Sequence, residues 1–189
     1  MAGTLVLSLT GASGAGYAVE LLRGIDGLGP TGPEVVVIMN SAAEGILLSE
    51  TGYGREELAR LASGLLDDGD MRTPFASGSN RFDWMVICPC TTSTACKIAN
   101  GIADTLTTRC ASVALKEKRK LVLAVRETPF SAPVLKCLYD LSNWGVSIMV
   151  ASPSFYGGER TVADIQRSFS GRILDLLGFE NDIASRYKP

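Results

Sequence analysis

Arg109 and Lys116 stand seven residues apart in the run RCASVALKEKRKLVLAVRE, which covers positions 109–127. The first half of that run reads as a helix. Seven residues is about two turns, so both cations fall on one helix face. A short aliphatic strand, Leu121 to Val125, follows and ends directly in Arg126 and Glu127. Three cations and one carboxylate are therefore expected in one place, a grouping suited to gripping a phosphate and moving a proton beside it. Upstream, Thr91, Thr92, Ser93 and Thr94 put four hydroxyls between a strand end and a helix start, with no carboxylate among them. Helix-start N–H groups with hydroxyls bind phosphate well, whereas plain N-capping needs only one of the four. Lys118, Arg119 and Lys120 read as solvated charges at a helix end.

Composition narrows the chemistry. The chain contains no histidine, which removes His-based acid–base catalysis, the Ser-His-Asp triad and His metal sites. Proton transfer then falls to Glu, Asp, Lys, Tyr, Cys or a group on the ligand. A net charge of −2 makes no electrostatic case for nucleic acid. Five cysteines, an odd number without a secretory signal, point to a reducing cytoplasm, and no apolar run approaches a membrane span. Cys88-Pro-Cys90 lacks the C-x-x-C spacing and reads as a pair of buried structural thiols, with no metal expected.

The elements that position these groups alternate along the chain. Thr4 to Thr10, Glu34 to Met39, Trp84 to Cys88, Leu121 to Val125 and Val146 to Val150 read as strands, aliphatic on both faces. Helices are predicted over Tyr17 to Arg23, Ser41 to Ser49, Arg55 to Leu66, Thr91 to Asn100, Asp104 to Lys118 and Ala132 to Asn143. Thr161-Val162-Ala163-Asp164 resembles a capping box that opens a last helix reaching about Leu177. Asp67 to Arg81 reads as a loop, and the tail after Gly178 as only partly ordered. This is the pattern of an α/β domain over 1–189, a parallel sheet in three layers with helices on both faces. Ligands in such folds bind at the carboxyl ends of the strands. The rule selects Gly11–Gly16, Asn40–Ser41, Pro89–Thr94, Arg126–Thr128 and Pro153–Tyr156. The first of these turns is Gly-rich but does not complete G-x-G-x-x-G, because Tyr17, Ala18 and Val19 follow Gly16.

Taken together, these motifs resemble the UbiX-type flavin prenyltransferases, long called aromatic acid decarboxylases. The resemblance runs through GASGAGYA at 11–18, SAAEGILLSE at 41–50, ASGS at 76–79, MVICPCTTST at 85–94 and IANGIADTLTTR at 98–109. It continues through SVALKEKRKLVLAVRETP at 112–129, FYGG at 155–158 and GRILDLLG at 171–178. It implies a Rossmann-like or flavodoxin-like fold and a metal-independent transfer of a dimethylallyl group from dimethylallyl phosphate to N5 and C6 of FMN. The prenylated FMN would go to a UbiD-type decarboxylase. The resemblance further implies a homo-oligomer, commonly a dodecamer, with sites at subunit interfaces. By position, Gly11, Ala12 and Ser13 match a first FMN-binding turn, Asn40 and Thr91 to Thr94 further contacts, and Arg126 another. Arg109, Lys116, Tyr156 and Arg172 match the residues that hold the donor phosphate. Glu50 and Glu127 match the two acids implicated in proton handling, with Lys116 beside them in catalysis.

The chain departs from the family pattern at Thr91, where serine is usual, and at Asn40, where Ser or Thr is usual. Tyr187 stands where some members carry tryptophan, and Cys110 where alanine is common. Two other readings stay open at this level. One is an FMN-dependent oxidoreductase or cysteine decarboxylase of the same superfamily, and the other is a flavin carrier subunit without turnover.

Overall fold

The computed structural model describes residues 3–183 together with Arg186 and Tyr187. Six parallel strands form one sheet: β1 (Thr4–Leu9), β2 (Glu34–Met39), β3 (Gly64–Asp67), β4 (Trp84–Cys90), β5 (Lys120–Val125) and β6 (Ser147–Val150). Their order is β3-β2-β1-β4-β5-β6. The chain therefore winds outward from β1 one way and from β4 the other way, and the reversal lies between those two strands.

Strand alternation explains the three layers. In β1, Leu5, Leu7 and Leu9 enter one core with α1 (Ala15–Asp26), α2 (Ser41–Thr51), α3 (Arg55–Ala59) and α7 (Val162–Leu177). Val6 points the other way, into a core with α4 (Thr92–Ala99), α5 (Leu106–Lys116) and α6 (Ala132–Asn143). Full burial of each such leucine contributes about 2–3 kcal/mol. Ser8 is the one fully buried polar residue of β1. Its hydroxyl shares a 2.6 Å hydrogen bond with Thr107 on α5, which removes the cost of an orphaned buried group.

Five of the six strands coincide with predicted ones. The predicted helix over 55–66 is corrected: α3 ends at Ala59, and Gly64 begins β3. Leu65 and Leu66 pair in parallel with Val37 and Ile38, so sheet extension overrides the leucine spacing that favoured a helix. Described residues of the tail reach back to the domain. The Phe179 ring lies 5.1 Å from that of Trp84, and Arg186 folds back onto α7; Ala184, Ser185, Lys188 and Pro189 lie outside the described residues. The capping box at Thr161 forms as predicted, with the Thr161 hydroxyl accepting from Asp164 N and Asp164 accepting from Thr161 N.

Cys88 and Cys90 end β4 wholly buried, and burial pushes the Cys88 thiol up to about 12. Among the described residues, no group of three or more Cys, Asp or Glu side chains is placed to hold a metal ion, and no helix is long and apolar enough to cross a membrane.

Candidate active site

The carboxyl ends of β1 and β4 flank the reversal of strand order, and a threonine ties them together. The Thr10 hydroxyl donates to the Pro89 carbonyl at 2.7 Å and accepts from Thr91 N at 2.9 Å. Gly11, Ala12 and Ser13 follow; Ala12 is buried, while Gly11 and Ser13 are exposed. Gly14 then takes φ +106 at the start of α1, a backbone that side chains disfavour. At Gly16 a Cβ would meet the terminal amide of Gln166 on α7, which would have to turn aside.

Glu50, near the end of α2, fills the start of α1. One carboxylate oxygen accepts from Gly14 N at 2.8 Å and Ala15 N at 2.9 Å. Burial favours the neutral acid, but hydrogen bonds from the Ser13 hydroxyl and these two amides, with the nearby Arg126 charge, hold Glu50 below its ordinary 4.5. It is therefore an anion at neutral pH, sitting where a helix attracts negative charge. Arg126 Nε donates to the Ser13 carbonyl at 2.9 Å. Its two terminal amino groups make no hydrogen bond among the described residues. Ser13, Glu50 and Arg126 thus converge from three elements, and Glu127 lies exposed beside them with Oε1 accepting from Thr128 N at 2.9 Å.

Thr91 caps α4 by accepting from Thr94 N at 3.1 Å, and its hydroxyl also meets that of Thr94 at 2.8 Å. Thr92 and Ser93 keep hydroxyls with no partner among the described residues. The four-hydroxyl cluster therefore divides into a capping pair and a pair available to a ligand. Asn40 caps α2 through Oδ1, which accepts from Ala43 N at 2.9 Å.

Tyr156 and Arg172 line a cavity of about 240 Å³ beside the end of β6, with Val150, Ser152 and Phe169. The Phe169 ring is 4.8 Å from Tyr17, which follows the first turn, so this cavity adjoins the Ser13–Glu50–Arg126 group.

Arg109 and Lys116 do share a face, as their spacing predicts. Arg109 Nε donates to the Ala76 carbonyl at 2.8 Å, and a Cβ on Gly78 would fall 2.5 Å from Lys116 Nζ. Lys116 also pairs with Glu117 at 2.6 Å. Within a single chain they do not meet Arg126 and Glu127. Helix α5 runs back against the strand direction, so Lys116 lies near the amino end of β5 and Arg126 at its carboxyl end, roughly 17 Å along the strand. Helix α5 also lies on the opposite face of the sheet from α7 and Arg172.

Two positioning residues went unread in the sequence. Thr10 looked like the last residue of a strand. Asp68, buried after the unpredicted β3, accepts from Thr107 N at 2.8 Å through Oδ1 and from Leu106 N at 2.8 Å through its carbonyl. It thereby anchors the start of α5 and the approach of Arg109.

The model of the family described as Flavoprotein matches residues 2–169. The Flavin prenyltransferase UbiX of Thermoplasma acidophilum is 40% identical over 183 residues, covering 97% of this chain and 99% of the relative. That of Archaeoglobus fulgidus is 41% identical over 177 residues, covering 94% and 96%. The chain belongs to the UbiX flavin prenyltransferase family. The structure of a UbiX solved in complex with FMN and dimethylallyl pyrophosphate aligns with a TM-score of 0.94 at 32% identity, covering 100% of this chain and 99% of that one. A dodecameric FMN-dependent UbiX-like decarboxylase from Escherichia coli O157:H7 gives 0.94 at 36% identity, covering 98% and 100%. A peptidyl-cysteine decarboxylase reaches 0.64 at 18% identity over 95% of this chain and 100% of its own, a likeness of fold alone.

Proposed function

We propose that this protein joins the dimethylallyl group of dimethylallyl phosphate to N5 and C6 of reduced FMN, releases phosphate, and supplies prenylated FMN to a UbiD-type decarboxylase. The observation that carries the reading is the pairing of full-length likeness to a UbiX solved with FMN and a prenyl donor with a strand-end site that has unused groups for an anion. Thr92 and Ser93 at the start of α4 and the free end of Arg126 fit the FMN phosphate. The exposed Ser13 and Gly11 flank the same strand ends, with Asn40 close by at the end of β2. When bound, the reduced flavin supplies the electron-rich ring that accepts the allyl group.

The chain's own residues would act on charge and protons. Breaking the allylic C–O bond builds negative charge on the phosphate. Fixed cations at Arg172, Arg109 and Lys116, with the Tyr156 hydroxyl, lower the barrier because they bind that charge most strongly in the transition state. Glu50, held ionised, fixes the first turn and can only accept a proton. Glu127, exposed beside Arg126, would relay one. Since α5 and α7 lie on opposite faces of one chain, the donor site would be completed by Arg109 and Lys116 of a second copy. The dodecameric relative supports such an assembly. Exposed Leu135 and Tyr139 on α6 provide apolar surface for contacts between copies.

The test is anaerobic incubation with reduced FMN and dimethylallyl phosphate, following phosphate release and flavin mass. The expected result is stoichiometric phosphate and a flavin heavier by one prenyl group. Binding of FMN with neither change would leave a flavin carrier. Lys116→Ala and Glu127→Gln should each retain FMN and lose most turnover; normal turnover in both would remove them from the mechanism.

A further inference from the structure

The C-terminal segment meets α7 at a single carboxylate. Asp175 lies one turn after Arg172, and Arg172 Nη1 donates to its Oδ2. Left alone, that pair would be neutral and would offer little to an incoming anion. It is not left alone. Arg186 grips the same carboxylate through both amino groups, Nη1 to Oδ2 at 2.6 Å and Nη2 to Oδ1 at 2.8 Å. Asn181 Nδ2 adds a bond to Oδ1 at 2.9 Å. The Asp175 side chain is only 18% exposed, whereas that of Arg172 is 52% exposed and lines the cavity with Tyr156. Arg172 Nε and Nη2 make no hydrogen bond among the described residues.

A two-pronged guanidinium–carboxylate pair is stronger than a single-pronged one. Arg186 is therefore the main counter-ion of Asp175, and Arg172 holds only one shared oxygen. The protonation of Asp175 agrees: burial would raise its carboxyl, yet the Arg186 hydrogen bond and charge, with Arg172 behind them, hold it below the ordinary carboxylate range. The next residue, Tyr187, packs edge-on against the Tyr156 ring at 5.7 Å. One short segment thus touches Tyr156 and the carboxylate that Arg172 shares.

We propose that Arg186 is a positioning residue that neutralises Asp175 and so keeps Arg172 a net cation for the donor phosphate. The proposal rests on the reading above that Arg172 binds that phosphate. It gives two substitutions opposite signs. Without Arg186, Asp175 captures Arg172 and phosphate binding weakens. Without the Asp175 charge, that capture cannot occur, so removing both groups restores binding.

The experiment measures inorganic phosphate affinity by calorimetry on the FMN-loaded assembly, with KM for dimethylallyl phosphate and Kd for FMN alongside. Arg186→Gln should raise the phosphate Kd and donor KM about three- to fivefold, the scale of a half-exposed ion pair, and leave the FMN Kd unchanged. Arg186→Lys should keep most of the affinity. Asp175→Asn combined with Arg186→Gln should return both values to within about twofold of the parent. A double variant as weak as Arg186→Gln would mean that Arg186 serves packing alone, and an Arg186→Gln variant with parental affinity would also overturn the proposal. Arg172→Ala separates the two levels. If it leaves phosphate affinity unchanged, the assignment of Arg172 to the donor fails. If it weakens affinity while Arg186→Gln does not, only the role of Arg186 fails.

Discussion

Glu50 shows how one side chain can do a job that its residue type does not announce. In the sequence it is a carboxylate after a helix, selected by resemblance. In the structure it supplies the negative charge that the start of α1 would otherwise seek from a ligand. Its carboxyl is held below 4.5. Its stabilisation is therefore complete above that ordinary value and is lost as pH falls through the depressed folded value. Glu50→Gln should remove this acid-sensitive contribution, about 0.5 kcal/mol after allowing for solvent screening. Thermal unfolding of both proteins from neutral to acid pH should give curves that converge at the acid end; parallel curves would contradict the charge assignment. The hydroxyl cluster was legible as a phosphate-suited turn, but its division between Thr91 with Thr94 and Thr92 with Ser93 was not, because capping partners depend on backbone direction.

At the scale of elements, local pattern carried most of the sheet and missed one edge. Strands β1, β2, β4 and β5 are long aliphatic runs, and buried parallel strands take that form. Strand β3 is four residues long and has no such signature; its strand character comes from pairing with β2. Losing β3 also hid Asp68, whose role depends on where that strand ends. The opposite case is α7, which was legible because its start is written in the Thr161–Asp164 box. Thr161→Ala should lower stability by about 1 kcal/mol, read from a shifted denaturation midpoint with an unchanged slope. Since α7 carries Arg172 and Asp175, the same variant should weaken phosphate binding more than FMN binding.

For the whole molecule, the decisive fact is which side of the sheet each cation occupies. Spacing placed Arg109 and Lys116 on one helix face correctly. It could not show that α5 and α7 cover opposite faces, because that follows from the winding order of the strands. If the site forms between copies, Lys116→Ala and Arg172→Ala chains, each inactive alone, should regain part of the turnover when assembled together. Mixtures that stay inactive after unfolding and joint reassembly would place the whole donor site on one chain.

The split placement of α5 and α7 has a consequence for inheritance of damage within an assembly. If the donor site is shared between copies, a chain lacking both Lys116 and Arg172 would spoil the site it lends to and the site it hosts. With random co-assembly of equal parts sound and defective chains, about a quarter of sites would stay intact, against half if each chain carried its own. Such a chain would act as a poison out of proportion to its share, and a dilution series of sound against defective subunits would display the square law directly.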